Sequence, residues 1–178
     1  LYAMIGHHEQ MDYYNGAGVD ITYMGIGELG EDGSVNSTKM GVRCTGAGGF
    51  IDITQNAKKV VFLGTFTAGG AKYKFENRKL EILQEGKIRK MVRQVAQLSF
   101  NGPMARKKGQ EVMVVTERAV FQLVKDGVEL IEIAPGIDLR TQILDKMDFK
   151  PIISKNLRVM DERLFVQDGP FGLKLKEK

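Results

Sequence analysis

Thr45-Gly46-Ala47-Gly48-Gly49 is the segment whose residue types best suit chemistry. Small residues in succession let a backbone approach a ligand closely. Free N–H groups where a helix begins can bind an anion or a developing oxyanion. The residues that follow, Phe50 to Ala57, place apolar groups at 50, 53, 54 and 57. That is helical spacing, and the helix would carry Asp52 and Asn56. From spacing alone, the segment serves equally well as a tight loop-to-helix turn with no ligand.

Other constellations are weaker. Gly25-Ile26-Gly27-Glu28-Leu29-Gly30 matches G-x-G-x-x-G. A dinucleotide fingerprint needs a helix to open there, whereas Glu31-Asp32-Gly33-Ser34 carries turn chemistry and Glu28, Glu31 and Asp32 would repel phosphate. A dinucleotide site is therefore not expected. His7 and His8 are adjacent, and neighbours on a strand point to opposite faces, so they are expected to be surface groups rather than a metal pair. With Cys44 the single cysteine, neither a zinc site nor a Cys-His dyad has partners. Cys44 is expected to be a small buried filler. The basic groups Lys87, Arg89, Lys90 and Arg93, and Arg106, Lys107 and Lys108, are expected to be solvated surface. Glu117-Arg118 ends a buried strand, where a local ion pair is expected.

The elements that would position these groups read as a mixed α/β unit. Val19 to Met24 is a short strand, and Lys59 to Phe66 is a strand apolar enough to be covered on both faces. Tyr73 to Phe75 and Leu80 to Leu83 form a hairpin, and Glu111 to Thr116 is a further buried strand. Ala119 to Val124 and Val128 to Ile133 flank Asp126-Gly127, a strong hairpin signal. Asn101 to Gly109 reads as a loop. Asp138 can cap a helix from about Leu139 to Met147, which Pro151 stops. The first 18 residues read as an irregular lead-in with one short helix.

The 178 residues and 19.8 kDa fit a single domain, residues 1–178. A hydrophobic fraction of 43% with 27% charged residues argues against disorder. No apolar run reaches the roughly 20 residues of a membrane-spanning helix. The net charge of +4 is too small to argue for nucleic acid. One cysteine favours a reducing, cytoplasmic compartment. The Leu1-Tyr2 start suggests a piece of a longer protein, and Lys174 to Lys178 reads as a frayed tail.

From about Tyr14 to Ile153, the sequence resembles the acetate/3-oxoacid CoA-transferase family (family I). The single-chain bacterial acyl-CoA:acetate/3-ketoacid CoA-transferases are the members it most resembles. The resemblance rests on Gly16-Ala17-Gly18-Val19-Asp20, Met24-Gly25-Ile26-Gly27-Glu28-Leu29 and Asp32-Gly33-Ser34-Val35-Asn36. It continues through Gly46 to Phe62, Gly64 to Gly70, Thr116 to Phe121, and Glu132 to Leu139. Each piece is short, and their order and spacing make the match.

That resemblance implies an open α/β/α sandwich of the CoA-transferase and sugar-phosphate isomerase type, strand-rich with β-hairpins. It implies CoA transfer between an acyl-CoA and a free short-chain carboxylate or 3-oxoacid, as in ketone-body or short-chain fatty acid metabolism. The family's glutamate attacks the thioester and becomes a glutamyl-CoA thioester, splitting one hard exchange into two easier steps. The family places that glutamate in a glutamate-glycine motif upstream of the matched part. Glu9, Glu28 and Glu117 do not fit it. The chain is thus expected to be the C-terminal part of the enzyme, inactive alone, with its catalytic residue upstream of residue 1. Gly46, Ala47, Gly48 and Gly49 align with the loop beside the thioester, and Asn36 with an asparagine that orients substrate. The implied partners are acyl-CoA and carboxylate substrates, the N-terminal part of the same enzyme, and further copies in a homo-oligomer. No metal, tightly bound cofactor, nucleic acid or membrane is implied; coenzyme A is a substrate. The rival reading is a catalytically inert acyl-CoA-binding or assembly domain of the same fold.

Overall fold

The computed structural model describes residues 4–166 and 172. Both the Leu1-Tyr2 start and the Lys174 to Lys178 tail lie outside these residues. The chain begins with α1 (His7–Asn15), β1 (Ile21–Gly25), β2 (Glu28–Gly30), β3 (Val35–Asn36), β4 (Lys39–Met40) and β5 (Arg43–Cys44). Then come α2 (Phe50–Gln55), β6 (Lys59–Leu63), β7 (Thr67–Ala68), β8 (Lys72–Glu76), β9 (Lys79–Gln84), β10 (Ile88–Arg89) and β11 (Met91–Val92). The last part holds α3 (Gly102–Lys108), β12 (Glu111–Val115), β13 (Ala119–Val124), β14 (Gly127–Ile133), α4 (Leu139–Gln142) and β15 (Ile152–Val159).

A six-stranded sheet in the order β1-β6-β12-β13-β14-β15 forms the frame. Only β13 runs against its neighbours; the other pairings are parallel. The apolar run Val60-Val61-Phe62 lies inside the sheet, between β1 and β12, and all three residues are buried. β-Branched and aromatic side chains suit that position because both sheet faces are covered. Phe62 stacks on Phe50 of α2 at 5.8 Å and meets Phe100 edge-on at 5.1 Å. The amphipathic start of α2 is thereby fixed to the central strand. The architecture is the strand-rich α/β type expected from the sequence.

The hairpins follow local chemistry. Between β8 and β9, Asn77 and Arg78 both take positive φ, 51° and 58°, which matches the right-handed twist of the paired strands. The predicted hairpin of β13 and β14 forms, with Lys125 and Asp126 as the connection and Gly127 pairing with Val124 as the first residue of β14.

Two segments depart from the sequence reading. Residues 101–109 hold a helix rather than a loop. Asn101 caps α3 by accepting a hydrogen bond from Met104 N–H at 2.9 Å, and Pro103 sits in the first turn, where its missing N–H costs no hydrogen bond. Gly109 ends the helix at φ +70°, and Arg106, Lys107 and Lys108 fill its last turn, where cations meet the negative end of the helix dipole. The helix after Asp138 is shorter than its apolar spacing suggests. Asp138 does cap it, accepting from Thr141 N–H at 2.7 Å, but Ile143 leaves helical geometry and a 3-10 turn follows at Leu144–Lys146. Beyond Pro151, the chain forms β15, an outer strand whose exposure lacks the alternation that marks a half-buried strand.

Truncating Phe62 to Ala removes the ring that joins strand, helix and Phe100. The expected loss is about 3–5 kcal/mol of unfolding free energy, read from the urea midpoint by circular dichroism.

Candidate active site

The parallel strands β1, β6 and β12 end together at Gly25, Leu63 and Val115. Ligands of open α/β sheets bind outside such carboxyl ends. Hydrogen bonds close the rim: Ile26 N–H donates to Leu63 O at 3.1 Å, and Gly64 N–H donates to Val115 O at 3.2 Å. The segment from Asn36 to Gly49 folds over the end of β1. Gly27 N–H donates to Asn36 O at 2.9 Å, and the Ser37 hydroxyl donates to Gly25 O at 3.0 Å. A Cβ at Gly27 would stand 2.9 Å from Asn36 O, too close for a backbone atom, so glycine suits the position.

Asn36 is fully buried, and its side-chain amide is saturated. Its Nδ2 donates to Glu28 Oε2 at 2.8 Å and to Lys39 O at 2.6 Å. Its Oδ1 accepts from Thr38 N–H at 3.1 Å and Lys39 N–H at 3.0 Å. Two donors and two acceptor sites are all that an amide has. Asn36 therefore braces the base of the β4–β5 hairpin, and a direct substrate contact would require one of these bonds to open.

The hairpin leads into the glycine turn. Thr45 N–H donates to Thr38 O at 3.0 Å. Gly46 and Gly48 then take φ +80° and +52°, with open space where a Cβ would stand. Ala47 O accepts from Phe50 N–H, and Gly49 O accepts from Ile53 N–H, each at 3.0 Å. The N–H groups of residues 46–49 make no hydrogen bond to any described residue. Behind the turn, Gly49 rests against Met11 of α1 and Ile53 of α2. The result is a set of free amide donors on a supported backbone, close to the rim and open to solvent.

Beside the rim lies a buried charged cluster. Arg118 is fully buried and forms a bidentate pair with Glu85, both contacts at 2.9 Å. Its Nε donates to Glu117 Oε1 at 2.8 Å, and its Nη1 donates to Gln142 O at 3.1 Å. The guanidinium also lies over the Phe66 ring, 4.9 Å from the centroid. Glu117 Oε2 accepts from Phe66 N–H at 2.8 Å. The Tyr73 hydroxyl, enclosed on the Arg118 side, has no hydrogen-bond partner among the described residues.

The chain is 46% identical over 175 residues to the acetate CoA-transferase YdiF of Escherichia coli K12, covering 98% of this chain. It is 45% identical over 168 residues to the caffeate CoA-transferase of Acetobacterium woodii, covering 92% of this chain. It spans about a third of each relative's length, 33% and 32%. The crystal structure of the acyl-CoA transferase YdiF from Escherichia coli O157:H7, as a thioester complex with CoA, aligns with a TM-score of 0.95 at 45% identity. That match covers 99% of this chain and 34% of the other. The chain is similar to about a third of a CoA-transferase. Glutaconate CoA-transferase of Acidaminococcus fermentans shares the fold, with a TM-score of 0.57 at 15% identity over 87% of this chain and 58% of its own. No family model matches the sequence.

Within this chain, the sequence-derived candidates separate. Residues 46–49 come together in one turn, and Asn36 lies at the base of the hairpin leading to it. Residues 25–30 form the end of β1, a two-residue link and β2, so the helix that a dinucleotide fingerprint needs is absent. Cys44 is exposed on β5 rather than buried, because the hairpin projects from the core. His7 and His8 are exposed on α1, a helix rather than a strand, and no group of three or more metal-ligating side chains occurs among the described residues. Asn56 joins α1 to α2 by donating to Asn15 O at 2.6 Å, and it accepts from Lys108 Nζ at 3.1 Å. Asp52 lies in the first turn of α2. The expected Glu117–Arg118 pair is present, but Glu85 completes it from 33 residues away, which adjacent charges could not reveal. Arg89 pairs with Asp148 at 2.8 Å, Arg93 donates to Asp148 O at 3.0 Å, and Lys87 is exposed. Lys90 departs from that surface pattern: only 7% of it is exposed.

Burial pushes the Glu85 carboxyl up, but hydrogen bonds from Arg118 and Thr67 outweigh it and hold Glu85 below its ordinary value of 4.5. A carboxylate depressed by folding stabilises above its unfolded value. That stabilisation is lost as pH falls through the lower folded value. Replacing Arg118 by Met leaves Glu85 and Glu117 without their cation. The expected cost near neutral pH is about 3–5 kcal/mol in denaturant unfolding. The deficit should shrink below the ordinary glutamate range, as protonation neutralises the stranded carboxylates.

Proposed function

We propose that this chain is the C-terminal part of a CoA-transferase that moves CoA between an acyl-CoA and a free short-chain carboxylate or 3-oxoacid through a glutamyl-CoA thioester. The observation that carries this reading is the glycine turn, whose N–H groups at residues 46–49 make no hydrogen bond to any described residue. A glutamate from the remainder of the parent protein would attack the thioester carbonyl and expel the CoA thiolate, leaving an acyl-glutamyl anhydride. The thiolate would then attack the glutamyl carbonyl and release the first carboxylate. A second carboxylate reverses both steps. Each step passes through a tetrahedral oxyanion, the species that preorganised backbone donors stabilise best.

Assigning the nucleophile to the remainder of the parent agrees with the carboxylates at the rim. Glu28 is held by Asn36 and by Ala96 N–H at 2.8 Å, and Glu117 is held by Arg118 and Phe66 N–H. Both are bracing groups. In the same reading the parent is a cytoplasmic homo-oligomer. Among the described residues, no helix is long and apolar enough to cross a membrane.

In the parent, Gly48→Val should abolish turnover while circular dichroism and melting temperature stay near wild type. The added Cβ meets open space, and the strain of a non-glycine residue at φ +52° is only about 1–3 kcal/mol. Gly109→Val imposes similar strain at φ +70°, at the start of β12 and the far end of the sheet from the rim. It should keep its turnover. Equal loss in both variants would remove the turn from the active site.

Intact-mass measurement after incubation with acetyl-CoA provides the second test. A CoA adduct is expected on the parent and not on this chain alone, with the chain's folding checked by circular dichroism. No adduct on a folded parent with several acyl donors would favour the inert binding or assembly domain.

A further inference from the structure

Among the described residues, Lys90 is a buried cation at the rim whose charge the fold does not pair. It lies between β10 and β11 and is 93% buried, being 7% exposed. Its ammonium makes no hydrogen bond or ion pair with any described residue. Its backbone is anchored, since Lys90 O accepts from Leu29 N–H at 2.8 Å. Its ammonium reaches the carboxyl end of the central strand: a Cβ added to Gly64 would lie 3.0 Å from Lys90 Nζ and 3.3 Å from Ile26 O. The glycine thus keeps open the space in front of the ammonium. Glycine 64 is itself half-buried, and the next residue, Thr65, is exposed, so this space lies at the mouth of the rim.

An ammonium largely withdrawn from water, with no partner in the protein, favours an arriving anion. The carboxylate nearest in the cluster does not fill that role. Glu117 is within electrostatic reach of Lys90 but forms no salt bridge with it, and its two oxygens are held by Arg118 and Phe66 N–H. Arg118 is likewise committed to Glu85 and Glu117. The single ammonium of Lys90 suits one negative charge. A phosphate, with its double charge, is typically held by several donors.

We propose that Lys90, behind the opening left by Gly64, holds the carboxylate group of the free acid substrate. The assignment rests on the CoA-transferase reading above. In that reaction, each half-cycle releases or takes up one carboxylate at the end of the sheet that carries the glycine turn. Burial pushes the Lys90 ammonium toward its neutral form, with Glu117 opposing. An arriving carboxylate would therefore stabilise the charged form and be bound more tightly for it.

The test uses the full-length parent with acetate as acceptor, comparing wild type, Lys90→Met and Gly64→Ala. Lys90→Met removes the charge and keeps an apolar stem. Gly64→Ala keeps the charge and places a methyl in front of it. Both should raise the acetate KM at least tenfold, while the KM of the acyl-CoA donor changes less than threefold. Both should still form the CoA adduct seen by intact mass. If either variant, with a wild-type melting temperature, leaves the acetate KM within twofold of wild type, the assignment is overturned. It is also overturned if both KM values rise together, since that marks a structural counter-charge. If Lys90→Met does not fold, Gly64→Ala decides alone. Absence of the adduct from wild type is a separate result, which removes the transferase reading itself.

Discussion

A guanidinium removed from water holds together the parts of this molecule that the main sheet does not reach. Arg118 lies in the short turn between β12 and β13. Its contacts draw in Glu85 at the end of the β8–β9 hairpin, Gln142 at the end of α4, and Phe66 on the turn after β6. A buried charge is expensive, and that expense makes the arrangement specific. Each partner must arrive in the right place, because an incomplete set leaves a charge stranded in a medium that cannot screen it. The strand ends that form the rim are therefore located by electrostatics as much as by sheet hydrogen bonds.

The rim carries two different kinds of polar group. Asn36, Glu28, Glu117 and Arg118 have their hydrogen bonds satisfied inside the protein, so they give the site its shape. The amides of residues 46–49 and the Lys90 ammonium are unsatisfied, so they are available to something that is not this chain. This separation is expected where catalysis depends on donors fixed before the substrate arrives. Saturated groups restrain the backbone, and the restrained backbone presents the unsaturated ones.

Much of the frame was legible in the sequence. The Val60-Val61-Phe62 run announced a covered strand, and Asp126-Gly127 announced a hairpin, because both signals are local. The glycine turn was legible for the same reason. Local signals failed where two opposed each other. Gly102-Pro103 reads as punctuation, yet the first turn of a helix tolerates both residues once Asn101 caps it. Lys90 was read among its basic neighbours as solvated surface, since nothing adjacent in sequence reports that Gly64 and Ile26 enclose it. Glu85 was invisible as Arg118's partner, because only the folded hairpin brings them together. Cys44 was misplaced by a general tendency of lone cysteines to be buried, which a projecting hairpin overrides.

The two outer strands of the main sheet are not alike. β15 carries Lys155 and Arg158, charges of the sort that discourage a neighbouring molecule from adding a strand. β1 reads Ile21-Thr22-Tyr23-Met24-Gly25, with no charge at all, and Ile21 and Tyr23 are exposed. Its free edge offers unpaired amides and carbonyls in register with an ordered parallel sheet. For this chain in isolation, β1 is therefore the adhesive side and β15 the protected one. Any strand-on-strand association of this chain in isolation is therefore expected along β1 rather than β15.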